Sequence, residues 1–74
     1  MTTEELQQAH AAQTPLYEWV REQLVTLDQT RPPNPTSCFV VSLHDRREKY
    51  CVLYAEEHLR PATAQELLEL AGET

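Results

Sequence analysis

The chain has 74 residues and a formal net charge of −6, with 41% hydrophobic and 24% charged residues. This length predicts a single domain over residues 1–74, and the composition is too apolar for a disordered chain. No run approaches the roughly 18 consecutive apolar residues of a membrane span. Residues 1–5 are acidic and contain no hydrophobic signal segment, so we expect a cytoplasmic protein that does not contact membranes.

Helices are predicted throughout the first 28 residues. Residues 3–12 are good helix formers with early acids, and they predict a short helix within a fraying segment 1–13. Thr14 followed by Pro15 matches an N-cap with proline at the first helical position. From there to about residue 28, apolar residues recur at spacings of three to four and predict a long amphipathic helix: Leu16, Val20, Leu24 and Leu27.

A β-hairpin is predicted for residues 37–44 and 49–54, after a proline-rich connector over residues 31–36. If His44 pairs with Lys49 around a four-residue turn, side-chain alternation defines two faces. One is a core face: Phe39, Val41, Leu43, Tyr50, Val52 and Tyr54. The other is mixed, with an apolar patch at its centre: Cys38, Val40, Cys51 and Leu53. A change of one residue in loop length would scramble this partition.

A short C-terminal helix is predicted by Thr63 and Glu66, which match the capping box. An apolar stripe follows and Gly72 ends the helix: Ala64, Leu67, Leu68 and Ala71. Residues 56–61 are predicted as a connector. The expected fold class is therefore α+β, an α-β-β-α domain in which a two-stranded antiparallel hairpin packs on two helices. An extra short N-terminal helix could precede it.

No chemistry-bearing constellation is indicated. Cys38, His44, Cys51 and His58 could be metal ligands, but on an extended strand the first two lie about 20 Å apart, too far to share a zinc ion. A Cys38–Cys51 disulfide is disfavoured because the two residues are offset by four positions in the predicted register. With one glycine and no phosphate-binding loop, the sequence predicts no enzyme, no metal and no cofactor.

The expected function is that of a small acidic interaction module, of the regulator, adaptor or inhibitor type. It would dock on another protein through the second hairpin face or through a hairpin edge. The predicted interaction face is Cys38, Val40, Cys51 and Leu53. Trp19, at the edge of the predicted helical stripe, is a further candidate contact, although a core position is favoured for it. A second copy is the first candidate partner, since an isolated hairpin leaves two edges unpaired. The acidic charge also suits a basic protein target.

Nucleic-acid binding is the alternative hypothesis. It would use the basic hairpin tip: Arg46, Arg47 and Lys49. These bases are interleaved with Asp45 and Glu48, which could simply pair with them. An acidic chain is poorly suited to a phosphate backbone, so nucleic acid is not the expected partner.

Overall fold

A computed structural model describes residues 1–72 of the chain. Within these residues the chain forms three helices and five strands: α1 (Thr3–Ala12), β1 (Leu16–Glu18), β2 (Gln23–Leu27), β3 (Ser37–Ser42), β4 (Lys49–Leu53), α2 (Ala55–His58), β5 (Leu59–Pro61) and α3 (Ala64–Gly72). The strands form one antiparallel sheet in the order β4-β3-β2-β1-β5. The class is α+β, but the predicted two-stranded hairpin on two helices is wrong.

Helix α1 lies where the sequence predicts a helix. It begins with a capping box, in which the Thr2 hydroxyl accepts a hydrogen bond from the Glu5 amide at 3.2 Å. The Glu5 carboxylate accepts one from the Thr2 amide at 3.1 Å. The helix ends at Ala12 and buries Leu6 and Ala9, and its C-cap Gln13 has left-handed backbone angles.

The predicted long helix over residues 15–28 is wrong, because this segment forms strands β1 and β2. Glu18 starts the turn between them by accepting a hydrogen bond from the Arg21 amide at 2.7 Å, and Glu22 has a positive φ of 52°. Strand β2 lies at the centre of the sheet, and its residues 24–27 are all buried. A strand that is covered on both faces has a continuous apolar run rather than an alternating pattern. The apolar residues of this run also match helical spacing, which is why the sequence predicts a helix here.

The hairpin register also differs from the prediction. Val41, not His44, lies opposite Lys49. The shift is three residues, an odd number, so it moves the side chains of one strand to the other face relative to its partner. Cys38 and Val40 therefore share what we call the inner face with Tyr50 and Val52, whereas Phe39, Val41, Cys51 and Leu53 share the outer face.

The sheet is strongly curled around its inner face. The edge strands of a flat five-stranded sheet would lie about 19 Å apart. Here the single turn of α2 connects the two edge strands, and His58 Nδ1 lies 2.8 Å from the carbonyl oxygen of Leu53. The residues predicted as a connector therefore form α2 and β5 and bring the edges together. The core fills the resulting partial barrel: Leu6, Ala9, Leu16, Val25, Leu27, Cys38, Val40, Val52, Ala55 and Leu59.

Helix α3 begins with the predicted capping box. The Glu66 amide donates to the Thr63 hydroxyl at 3.1 Å, and the Thr63 amide donates to the Glu66 carboxylate at 2.8 Å. Arg60 makes two further bonds of 2.9 Å to the same carboxylate and stacks on Tyr17 at 4.4 Å. No residue of α3 is fully buried across its described length, and Leu70, which is half-buried, lines a shallow cavity with Leu24 and Tyr17 of the sheet. No helix within residues 1–72 is long and apolar enough to cross a bilayer.

Candidate interaction site at the β4 edge

The outer edge of β4 carries main-chain groups that point away from the sheet. The Ser42 amide donates to the Glu48 carbonyl at 2.9 Å, and the Tyr54 amide donates to the Thr36 carbonyl at 2.7 Å. In an antiparallel ladder, hydrogen-bonding residues alternate with residues whose N–H and C=O groups face the other way. The even-numbered residues of β4 thus bond to β3. The odd-numbered residues point outward: Lys49, Cys51 and Leu53.

In contrast to β4, the strand at the opposite edge of the sheet, β5, is short and protected. Strand β5 is three residues long and pairs with β1. The Trp19 amide donates to the His58 carbonyl and the Ala62 amide donates to the Pro15 carbonyl, so the main-chain groups of Leu59 and Pro61 point outward. Pro61 has no N–H, and short strands and prolines are the usual protection of a sheet edge. Only β4 therefore offers an extended edge in the described part of the chain.

A groove of about 390 Å³ opens beside β4, between this strand, the β1–β2 turn and α2. Four large apolar side chains around it are exposed to solvent: Trp19 (59%), Val20 (69%), Leu53 (63%) and Tyr54 (63%). Val20, Leu53 and Tyr54 line the groove directly, and Trp19 precedes Val20 in the turn. Clusters of exposed apolar side chains of this kind are typical of surfaces that bind another molecule.

The turn that forms one wall of the groove is held against β4 by Arg21. Its guanidinium lies 3.0 Å from a Glu48 carboxylate oxygen and 4.4 Å from the centre of the Tyr50 ring. Tyr50 also accepts a hydrogen bond from Gln23 Nε2 at 2.9 Å. Burial raises the pKa of the Tyr50 phenol, so this group stays neutral near pH 7. These contacts hold the β1–β2 turn against β4.

Tyr54 lies at the other wall in an unfavourable backbone conformation. Its φ of 54° and ψ of 51° are left-handed, and its ring is edge-on to His58 with the ring centres 6.3 Å apart. Left-handed angles favour glycine or asparagine over a bulky residue. The side chain of Tyr54 is largely exposed, so packing in the core does not explain why a tyrosine stands here.

The predicted interaction face is divided by the observed register. Cys38 and Val40 lie in the core, and the Cys38 thiol donates to the Asn34 carbonyl at 3.3 Å. Burial raises the pKa of this thiol. Cys51, Leu53 and Trp19 are exposed at the β4 edge and the adjacent turn. The sequence interpretation missed Val20 and Tyr54, because it placed one on a helical stripe and the other on the core face.

The basic tip lies where β3 connects to β4. Arg47 pairs with Asp45 at 3.3 Å, and Glu48 pairs with Arg21. Within residues 1–72, Arg46 and Lys49 take part in no ion pair. At the other end of β4, the exposed acids Glu56 and Glu57 begin α2. The β4 edge therefore has a basic end and an acidic end.

Metal-ligating side chains do not converge anywhere in the described chain. Across residues 1–72 there is no group of three or more His, Cys, Asp and Glu side chains that could hold an ion. The two thiols are free, with Cys38 buried and Cys51 exposed on the opposite face of the sheet.

Comparison with other proteins adds no assignment to this geometry. No protein-family model matches the chain, and neither a curated protein nor a solved structure is significantly similar to it.

Proposed function

We propose that this protein is a small non-enzymatic interaction module that binds an extended segment of a protein partner alongside β4. The observation that carries the proposal is the asymmetry of the sheet, in which one edge is closed by Pro61 and the other is open. A strand added to an open edge gains main-chain hydrogen bonds, and its alternate side chains enter flanking pockets. Here the outward N–H and C=O of Cys51 and the outward N–H of Leu53 supply the bonds, since the Leu53 carbonyl already lies 2.8 Å from His58 Nδ1, and the groove beside β4 supplies the pocket.

The side chains around the groove support this proposal. An added strand would cover Leu53 and Tyr54, which are now largely exposed, and would approach Val20 across the groove. Positive φ at a bulky residue costs about 1–2 kcal/mol, and such strain is concentrated at functional positions. A role in binding accounts for an exposed tyrosine at this strained position.

The net charge of the chain suits a basic or neutral partner, and its free thiols suit a reducing compartment. The net charge of −6 disfavours approach to other strongly acidic surfaces and favours basic ones. Both cysteines are free thiols, which suits the cytoplasm. We therefore include the cytoplasm in the proposal.

Nucleic-acid binding through the hairpin tip is the second candidate, because Arg46 and Lys49 lack ion pairs in the described chain. It is the weaker one. Arg47 is paired with Asp45. The neighbouring rings that could stack on bases are already covered by arginines, Tyr50 by Arg21 and Phe39 by Arg31 at 4.1 Å.

The test selects ligands from a random peptide library displayed on phage and measures their affinity by fluorescence anisotropy. Cys51→Pro removes an outward amide that bonds to no other strand, so the fold is kept while the edge is blocked. Cys51→Ser is the matched control, because it changes the side chain and keeps the amide. We expect the proline variant, and not the serine variant, to lose affinity by at least about tenfold. Equal binding by both variants, or no selected peptide from protein that is monomeric at the concentration of the selection, would contradict the proposal.

A further inference from the structure

We propose that the segment bound at the β4 edge is β4 of a second copy, paired antiparallel about a two-fold axis that passes beside Cys51. This inference rests on the proposed function, since it names the occupant of the same edge. A symmetric pair of identical edges is the simplest closed assembly, and it satisfies both copies at once. Its register, its charge pattern and its thiol positions each follow from the described residues.

The register follows from which groups point outward. In a two-fold pair, outward residues must face outward residues of the second copy. Alignment of Cys51 with Cys51 of the second copy places Lys49 opposite Leu53 at both ends, so every outward residue of β4 has a partner. A symmetric register about Tyr50 would leave Leu53 unpaired, and one about Val52 would leave Lys49 unpaired.

The direction follows from the charges at the two ends of β4. Arg46 and Lys49, which take part in no ion pair within residues 1–72, lie at its start, and the exposed Glu56 and Glu57 follow its end. Antiparallel pairing places the basic end of each copy beside the acidic helix α2 of the other, twice in the dimer. Parallel pairing would bring like charges together at both ends. Complementary charges of this kind fix orientation more than they add affinity.

This arrangement also accounts for the basic tip in an otherwise acidic chain. The net charge of −6 on each copy opposes association at long range. The tip would offset this repulsion locally, at the point where the second copy presents its acids. The aliphatic part of Lys49 would at the same time lie over Leu53 of the second copy, whose side chain is on the same outer face.

Cys51 supplies a chemical probe of the axis. Facing residues of an antiparallel hydrogen-bonded pair have Cα atoms about 5.5 Å apart, within the roughly 4.4–6.8 Å range of disulfides. Both Cys51 side chains would lie on the outer face of the joined sheets. Cys38, in contrast, is buried in the core of its own copy and lies on the inner face.

The experiment first measures mass by sedimentation equilibrium in the presence of reductant. We expect a concentration-dependent shift from the 8.6 kDa chain to twice that mass, and we expect Cys51→Pro to abolish it. Cys51→Ser keeps the outward amide and should keep the dimer. After removal of reductant, diamide should convert Cys38→Ser to a covalent dimer, as the two Cys51 thiols give up two protons and two electrons to the reagent.

A variant with its only thiol at another exposed position measures how fast random collisions cross-link two copies. The control carries Cys51→Ser, Cys38→Ser and Gln8→Cys, which leaves one thiol on the exposed side of α1, away from β4. At equal concentration, cross-linking through Cys51 should be at least about tenfold faster than through this position. Equal rates would overturn the proposed axis.

A charge exchange tests the direction of pairing while leaving Cys51 and the main-chain groups of β4 unchanged. The double variants Arg46→Glu/Lys49→Glu and Glu56→Lys/Glu57→Lys should each self-associate more weakly than the wild type. The variant that carries all four substitutions should recover self-association, because its acidic start meets a basic end only when the two strands are antiparallel. A fourfold variant that associates no more strongly than either double variant would overturn the antiparallel arrangement.

Failure of this inference is distinguishable from failure of the proposed function. A protein that stays monomeric but binds peptides in a Cys51→Pro-sensitive manner overturns the second copy and leaves the β4 edge as the docking site. A dimer that survives Cys51→Pro places the interface elsewhere and overturns the inference. A monomer that binds no peptide overturns both.

Discussion

The imidazole Nδ1 of His58 lies 2.8 Å from the carbonyl oxygen of Leu53 and joins the two edge strands of the sheet at one end. Leu53 is the last residue of β4, and His58 directly precedes β5. Four strand spacings would separate these strands in a flat sheet. The contact therefore marks where the curled sheet comes closest to closing, and the open part of the β4 edge begins beside it.

Loss of this contact should loosen the closure. We expect His58→Ala to lower the free energy of unfolding by about 1 kcal/mol, the usual net value of a hydrogen bond. Urea denaturation measures the change. Glu57→Ala is the matched control on α2, because Glu57 is exposed, and it should change stability by less than about 0.5 kcal/mol. Equal effects of the two substitutions would show that the His58 bond does not hold the edges together.

Two leucines, one in the core and one at the proposed docking surface, should respond differently to truncation. Leu16 is fully buried, whereas Leu53 is 63% exposed. Leu16→Ala should lower the free energy of unfolding by about 2–5 kcal/mol, through lost burial and a residual cavity. Leu53→Ala should lower it by less than about 0.5 kcal/mol. Chemical denaturation of both variants measures the difference, and a similar loss in both would place Leu53 in the core.

The stability of the contact between β5 and α3 should fall at acid pH. Hydrogen bonds from Arg60, and then from the Thr63 amide, lower the pKa of Glu66 from 4.5 to about 2. Because the folded state holds this proton less tightly, the contribution of Glu66 to stability is present above about pH 4.5 and is lost as the pH falls toward 2. Titration of the Glu66 carboxyl by NMR measures the value directly.

Removal of the arginine tests the cause of that shift. Arg60→Gln should move the Glu66 pKa upward toward its ordinary value and should reduce the protection of α3 amides at pH 7. If the Glu66 pKa does not change in this variant, the capping box alone lowers it.

The two thiols should differ sharply in reactivity. Cys51 is exposed, whereas Cys38 is buried with a raised pKa caused mainly by desolvation, so its reactive thiolate is scarce. In dilute native protein, a thiol reagent should modify one cysteine per chain rapidly, and the second only after unfolding by guanidinium. Mass spectrometry of the modified peptides assigns each site. Fast modification of Cys38 in the native protein would contradict the observed register.

Local signals in the sequence predicted some elements well. Acidic residues in the first turn identified α1, and the Thr63–Glu66 capping box identified the start of α3. Both signals depend on residues close together in the chain, so one sequence is sufficient to detect them. The apolar segments 37–44 and 49–54, on either side of a charged turn, likewise predict two strands, and β3 and β4 lie within these ranges.

The remaining fold depends on contacts between distant residues. Strand β2 is central because β1 and β3 pair with it, and its residues are buried on both faces by parts of the chain distant in sequence, which no local pattern reports. The register of β3 and β4 is set by the length of the connection through residues 43–48, which the sequence leaves open by one to three residues. The observed register places Cys38 and Val40 on one face with Tyr50 and Val52, and packing of α1 and the other strands against that face makes it the core.

The candidate site was only partly accessible from sequence for the same reason. The predicted residues Cys51, Leu53 and Trp19 lie at the surface near the β4 edge. The sequence instead predicts Val20 on a helical stripe and Tyr54 on the core face, since neither the β1–β2 turn nor the left-handed start of α2 has a distinctive sequence signal. An exposed tyrosine with positive φ is visible only in three dimensions.

The central claim, that β4 is an open docking edge, is tested most directly by amide hydrogen exchange measured by NMR over a range of protein concentrations. In the dilute protein, the outward amides of Cys51 and Leu53 should exchange rapidly, while the inward amides of Tyr50 and Val52 are protected by β3. As the concentration rises, the outward amides should become protected and the inward ones should not change. Outward amides that are protected at every dilution, or that remain unprotected at every concentration and with every selected peptide, would contradict the account.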